Sequence, residues 1–581
     1  MKDHRPDALR FPVLIAGGGL TGLSAALFLL KQGIRLLLME KRIGTSIHPR
    51  AREFDIRTME LLRESGLSEP VCDAGKLPGP SRGFLFGRSL AEAPGKKSRR
   101  KGEAITHPVQ IPGMEGLAAL RPEMGARCPQ DISEPVLLAA ARERGAHVMF
   151  HTELASFEQN DTGIIALIKD HDTGETQKIH ADYMIAADGA KSPVGEVLQV
   201  SPSGKGALGD LVDIYCEADL AAFVRDREFS MFIAKAPEIR RLLTSIDNSG
   251  HWVFHLYFDR VKGERPEDFT TERLPVILQE VVGLPGLSIR IITVLPWQPT
   301  IKVVDDVRHG RVFLAGAAAH VMTPYGAKGA ATGIQDVHNL AWKLATVLDQ
   351  WVSPFLPETY SKERQPIGLF NAFPSGKMAD KPGLPQVKKP ANIMLLARFL
   401  DALGPKKQIQ KRVMKKMRGR LGIPEYVYHS TAITEENEDP GGKNDKNVPL
   451  TAAPGTRAPH IWVIHKGKKI STLDLPGGDF VLFTGSGNEA RQKAARDAQD
   501  LKMNIPVYSI GNTGSLIFAD AQAREVLKLF GTGAVLVRPD GFVAWRSTEG
   551  APDASLSLKN VIIQLLSKQI NVEPKQTKIK K

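Results

Sequence analysis

The chain has 581 residues, too many for one hydrophobic core, and its 42% hydrophobic and 24% charged residues place it among globular proteins of two to four domains. No run of about 18 uninterrupted apolar residues is present to span a bilayer, the best candidate, 20–39, being broken by Lys31 and Arg35. The net charge of +13 draws largely on three local runs, 96–101, 406–420 and 575–581, and the middle one has no interleaved aromatics, which argues against a nucleic-acid face.

The opening MKDHRPDALRF has neither the apolar segment nor the cleavage site of a secretory signal, and Cys72, Cys128 and Cys216 show no CxxC or metal-ligand spacing. A reducing cytoplasm is therefore expected, with no membrane, nucleic-acid or metal partner. In chain order, Phe11–Ala16 reads as a strand, GGGLTG as a turn, Leu20–Gln32 as a helix capped by Gly33, and Arg35–Met39 as a second strand. That is a βαβ opening onto a parallel sheet.

Gly17, Gly19 and Gly22 have GxGxxG spacing between strand and helix, so backbone amides around Leu20 and Thr21 can meet a pyrophosphate at the helix N-terminus. Glu40 ends the second strand 18 residues after Gly22, where an acid accepts from a ribose hydroxyl, and Arg42 follows it. This unit alone leaves NAD and FAD open.

A helix is expected over Glu134–Gly145, then strand-like alternation through Val148, Ile164, Ile168 and Tyr183 returns to the nucleotide sheet at IAADG. Between Leu211 and Pro299, runs such as HWVFHLYFD and IRIITVLPW predict an antiparallel sheet able to cover a ligand. After Arg311 come a strand and a long helix, a Pro/Gly/Lys-rich stretch at 375–390, helices up to Tyr428, and an exposed linker at 435–447. The remainder, with strands at Asp479–Gly485, IPVYSIG and GAVLVRPDGFVAW and a helix near 490–500, has a thioredoxin-like order without a cysteine. Dithiol exchange needs a thiolate, so assembly, including a homodimer, or stability is the role left.

Further segments carry a family resemblance: HPRAREFDIRTMELLRESGL with Arg50, CPQDISEPVL with Gln130, YMIAADGAKSPV with Asp188 and Gly189, and RVFLAGAAAHVMTPYGAKGAATGIQDVHNLAWKL from Arg311. Over nearly its whole length the chain resembles the FAD-dependent aromatic hydroxylases, single-component flavoprotein monooxygenases, with a tail like that of phenol and polyketide hydroxylases. The resemblance implies an α/β fold: a Rossmann-type FAD-binding domain (1–80, 105–200, 300–400) and an antiparallel substrate domain (81–104, 201–299). A helical segment and linker (401–447), a thioredoxin-like domain (448–570) and a basic tail (571–581) complete it.

It implies FAD as cofactor and NADPH or NADH as transient reductant, for hydroxylation of an aromatic or polyketide-like small molecule. Arg50, Gln130, Asp188, Gly316, Ala317, Pro324, Gly329 and Ala331 then join the glycine turn, Glu40 and Arg42 around the cofactor. Three positions depart from the pattern: Ala317 replaces the aspartate that binds the ribityl chain, Ala327 a glycine, and Ala331 an asparagine. A glycine at 327 would serve a positive φ or a close approach of the ring. Lys328 beside it is either solvent-facing or turned to the flavin, and His320 is read as structural. Trp297, Pro324 and Tyr325 are substrate-facing by family position; Trp252, Phe254 and Tyr257 of the covering sheet are further candidates, with core packing the preferred reading for these three. The eroded flavin motif leaves a second function open, a redox-neutral cyclase or isomerase with FAD structural or lost.

Overall fold

Val13, Leu14 and Ile15 are completely buried, the mark of a central parallel strand covered on both faces. In the computed structural model, which describes residues 9–76, 83–93, 121–236, 239–349, 356–379, 384, 422–434, 452–485, 505–511, 515–519, 534–547, 561–562 and 565, the strand Leu9–Ala16 pairs in parallel with Leu36–Glu40 on one side and Thr176–Ala186 on the other. His147–Phe150 and Val312–Leu314 extend this eight-stranded sheet outward, and the Leu20–Lys31 helix makes the first crossover. The helix expected from Glu134 begins at Gln130 and runs to Glu143. The three basic runs, the helix near 490–500, the helices expected from 390 as far as residue 421 and the 435–447 linker lie outside the described residues, while 422–428, where those helices are expected to reach Tyr428, contain no helix.

The expected antiparallel layer is a six-stranded sheet in the order Arg290–Trp297, Asp210–Glu217, His251–Phe258, Ile239–Ser245, Met231–Ala236 and Phe84–Gly87, the last pair parallel. Side chains alternate across a strand, so its register decides what each face offers. Val212, Ile214, Cys216, Trp252, Phe254, Leu256 and Phe258 pack with Leu274, Leu278 and Val281 of the Arg273–Val282 helix as an apolar core. The opposite face therefore receives Asp213, Tyr215, Val253, His255, Tyr257, Thr293 and Trp297, whose register partners confirm the alternation.

Contacts divide the chain into two compact units, one of residues 1–338 and 364–424 that holds both sheets above, the other of 339–363 and 425–581. In the second, Val481–Gly485 pairs in parallel with Val507–Ile510 and antiparallel with Ala534–Val537, which continues to Val543–Ser547; this mixed sheet fits a thioredoxin-like order. Lys343, Glu363 and Arg538 are fully buried there: Glu363 accepts from Lys343 Nζ at 2.8 Å and from Arg538 at 2.7 and 2.8 Å. Asn339 and Ser430 also donate to it, at 2.7 and 2.6 Å. No helix among the described residues is long and apolar enough to cross a membrane.

In the first unit, Glu64 pairs with Lys31 at 2.6 Å and with His338 at 3.1 Å, joining three helices. Desolvation pushes its carboxyl upward, but the charges and hydrogen bonds of His338 and Lys31 outweigh that and bring it from 4.5 down to about 2. An acid with a depressed folded pKa stabilises above its unfolded pKa and loses that contribution as pH falls. Glu64→Gln is accordingly expected to lower stability at pH 7 by about 2 kcal/mol and to flatten the wild-type loss between pH 4.5 and 2, as read by denaturant titration across pH.

Candidate cofactor and substrate site

The glycine turn is shaped by close approaches that no side chain would survive. A Cβ on Gly17, at φ +109°, would stand 2.3 Å from the Ala187 carbonyl oxygen, and one on Gly22 would stand 1.8 Å from the Gly17 oxygen. Gly19 caps the Leu20–Lys31 helix without a side-chain hydrogen bond of its own, and the Glu134 carboxylate takes the Leu20 N–H at this positive terminus. Glu40 is fixed by amides: Gly18 N donates to it at 2.7 Å and Arg42 N at 3.0 Å. Its second-strand position leaves the half-exposed carboxylate able to take a sugar hydroxyl as well.

Around this turn lie two acids, Glu134 buried and Asp188 half-buried. Glu134 accepts from Ser46 N at 2.7 Å and from Gln130 Nε2 at 2.6 Å, and burial raises its pKa. Gln130 thus commits its amide nitrogen to Glu134, while its backbone N–H donates to the Arg50 carbonyl at 2.9 Å. Asp188 accepts from Val194 N at 3.0 Å through one oxygen, and its buried Oδ1 has no hydrogen-bond partner. Burial raises this carboxyl too. A glycine cradle at a helix N-terminus, an amide-held acid and an orphaned carboxylate oxygen fit a dinucleotide such as FAD.

The turn that carries the departures lies against the same cradle. Gly316, at φ +60°, and Gly333 each leave room for Thr21, whose Oγ1 would be 2.4 and 2.5 Å from a Cβ at these positions. Asp336, buried and overlooked as a positioning group, accepts from Gly316 N at 3.1 Å, His320 Nε2 at 2.6 Å and Arg364 Nε at 2.8 Å. Burial would raise its carboxyl, yet His320 and Arg364 hold it low. His320 is buried and engaged by Asp336, a structural placement.

Ala317 is exposed on this turn, Ala331 is buried in the helix beginning at Gly329, Pro324 is exposed and Tyr325 is buried. Ala327 has φ +52°, the left-handed conformation that explains why a glycine suits this position. Lys328 is half-buried rather than solvent-facing, and its Nζ pairs with Asp55, the N-cap of the Ile56–Glu64 helix, at 3.2 Å. Arg42 and Arg50 are exposed.

Of the substrate candidates, Trp297 and Tyr257 lie on the polar face of the six-stranded sheet. Trp252 and Phe254 do not: they are 0% and 1% exposed in the apolar core on the other side, the packing role read for them in the sequence. The polar face instead presents residues that sequence reasoning missed. Asp213 and His255 Nδ1 lie 2.6 Å apart, and His255 Nε2 is 3.0 Å from Thr244 Oγ1. Arg52 and Arg127 donate to the Ser245 carbonyl at 3.1 and 2.7 Å, and so tie this sheet to the segments bearing Arg50 and Gln130.

Comparison with known proteins agrees with this geometry at both ends of the chain. A family model described as FAD binding domain matches residues 10–369, and one described as aromatic-ring hydroxylase, C-terminal, matches 451–567. Tetracenomycin A2 monooxygenase-dioxygenase of Streptomyces glaucescens is 36% identical over 577 residues, covering 96% of this chain and 97% of that protein. A protein described as a putative polyketide hydroxylase of Streptomyces halstedii is 36% identical over 569 residues, at 96% and 97% coverage. Among solved structures, aklavinone-11 hydroxylase in ternary complex with FAD and aklavinone superposes with a TM-score of 0.79 at 29% identity, covering 97% of this chain and 100% of that one. Likeness of this extent, on a cradle shaped for a dinucleotide, makes the chain a member of the FAD-dependent aromatic-ring hydroxylase family.

Proposed function

We propose that the protein is a FAD-dependent monooxygenase that uses NADPH or NADH and dioxygen to hydroxylate a polycyclic aromatic polyketide. The observation that carries this reading is the divided sheet: one face is spent on the core, and the other holds aromatic and polar groups tied to the cofactor segments through Arg52 and Arg127. Such a mixed face suits a flat, hydroxylated aromatic molecule. The full-length similarity to a tetracenomycin monooxygenase supports the same substrate class.

In this role the Gly17–Gly22 turn and the Leu20–Lys31 helix terminus would hold the pyrophosphate, and Glu40 a ribose hydroxyl. FAD, when bound, supplies the reductive activation of dioxygen and the transfer of one oxygen atom. The protein orients the aromatic ring and excludes water, so no side-chain nucleophile is needed. The three free cysteines support a reducing cytoplasm as the site of action.

The test is oxygen uptake by the FAD-loaded protein with NADPH or NADH and a hydroxylated naphthacene quinone. Uptake that rises with the quinone and yields a product heavier by one oxygen is expected. Turnover under anaerobic conditions without reductant would overturn the reading in favour of a redox-neutral cyclase or isomerase.

Ala317 bears directly on cofactor grip. Because it is exposed on the Gly316–Ala318 turn, an aspartate fits there without displacing the core. Ala317→Asp is expected to tighten FAD about tenfold, the worth of one recovered hydrogen bond to a sugar-like hydroxyl. Fluorescence titration of the apoprotein with FAD reads this, and an unchanged Kd would remove residue 317 from the cofactor's surroundings.

A further inference from the structure

His48 lies in the loop that leaves the second strand of the nucleotide sheet, and only 6% of its surface is exposed. Both of its ring nitrogens are buried without a hydrogen-bond partner. Such atoms are rare in folded proteins and call for a partner that the chain does not supply. The ring stands over Tyr215, centroids 6.0 Å apart, on the polar face of the substrate sheet. Thr293, the register partner of Tyr215 on that face, likewise has a buried hydroxyl without a partner.

The neighbouring pair differs in this respect. Asp213 and His255 engage one another at 2.6 Å, and His255 reaches Thr244 with its other nitrogen at 3.0 Å. His48 faces Asp213, Arg50 and His255 without bonding any of them. Burial pushes its pKa down to about 4, with Asp213 pulling the other way and Arg50 and His255 adding to the fall. The ring is therefore neutral near pH 7, with one N–H donor and one lone-pair acceptor. The Asp213 carboxylate favours the tautomer that turns the N–H dipole toward it, which leaves the other nitrogen as an acceptor.

We propose that His48 is a specificity-determining residue whose acceptor nitrogen takes the hydrogen bond of a ring hydroxyl on the aromatic substrate. This rests on the hydroxylase reading above and goes further, since it states which substituent the site recognises. A site built around an unpaired acceptor rejects analogues that lack the donor, whereas an apolar pocket would scarcely distinguish them.

The test measures binding of 2,6-dihydroxyanthraquinone, whose hydroxyls are not tied to the quinone carbonyls, and of its 2,6-dimethoxy counterpart to the FAD-loaded full chain, by calorimetry, in wild type and in His48→Phe. Wild type is expected to prefer the dihydroxy compound by about tenfold, and His48→Phe to bind both alike. Calorimetry with His48→Leu serves equally should the phenylalanine variant fail to retain FAD. Equal binding of the two compounds by wild type, or an undiminished preference in the variant, overturns the subsite while leaving the hydroxylase reading in place. Failure of wild type to bind either quinone, together with no quinone-stimulated oxygen uptake, removes both.

Discussion

Glu363→Ala should cost about 3–5 kcal/mol of stability, because it strands two buried cations at once. Lys343, Glu363 and Arg538 have no exposed side-chain surface, and Glu363 is the acceptor both cations share. Burial drives Lys343 down to about 8 even with Glu363 opposing the fall, so removal of the carboxylate favours a neutral lysine. Arg538 cannot escape in that way, since guanidinium stays charged, and it keeps only Asp540 as an acidic partner among the described residues. Glu363→Gln, which retains an acceptor oxygen, should cost less than the alanine. Denaturant unfolding would show the difference, and a loss below about 1 kcal/mol, the worth of an exposed ion pair, would contradict the buried network.

Gly22→Ala is expected to abolish practical FAD retention, weakening the Kd by at least about 100-fold, since the pyrophosphate cradle depends on the position of that turn. The new Cβ would lie 1.8 Å from the Gly17 carbonyl oxygen, a contact relieved only if the turn or the Leu20–Lys31 helix moves. Either movement displaces the amides proposed to meet the pyrophosphate. Gly33→Ala at the other end of this helix makes the control: its φ is +75°, but nothing lies within 4 Å of a Cβ there. That substitution should cost about 1 kcal/mol of backbone strain and leave FAD affinity alone. Flavin titration of both proteins separates a local clash from a general loss of stability, and wild-type affinity in Gly22→Ala would refute the cradle.

The nucleotide sheet was readable because its evidence is local: a buried apolar run, three glycines at fixed spacing and an acid at the next strand end all fall within residues 11–40. The face of the substrate sheet was harder to read, although HWVFHLYF contains it. His251, Val253, His255 and Tyr257 alternate with Trp252, Phe254, Leu256 and Phe258, and the wholly apolar set marks the core side. Trp252 and Phe254 belong to that apolar set, in keeping with the packing read for them, whereas Tyr257 falls on the other face, which the alternating histidines mark. The pairing of Lys328 with Asp55, 273 positions away, and of Glu363 with Arg538, 175 away, had no local signature at all. Long-range ion pairs follow from the completed fold rather than from spacing.

Asp336 gives the altered flavin turn a meaning of its own. It secures Gly316 and His320 from behind, with Arg364 on its other oxygen, so the turn keeps its geometry whatever side chain stands at 317. If residue 317 meets the cofactor as proposed, the scaffold and the grip on the flavin are written in separate residues, and a change at one exposed position would tune how long the flavin is kept without renegotiating the fold that presents it.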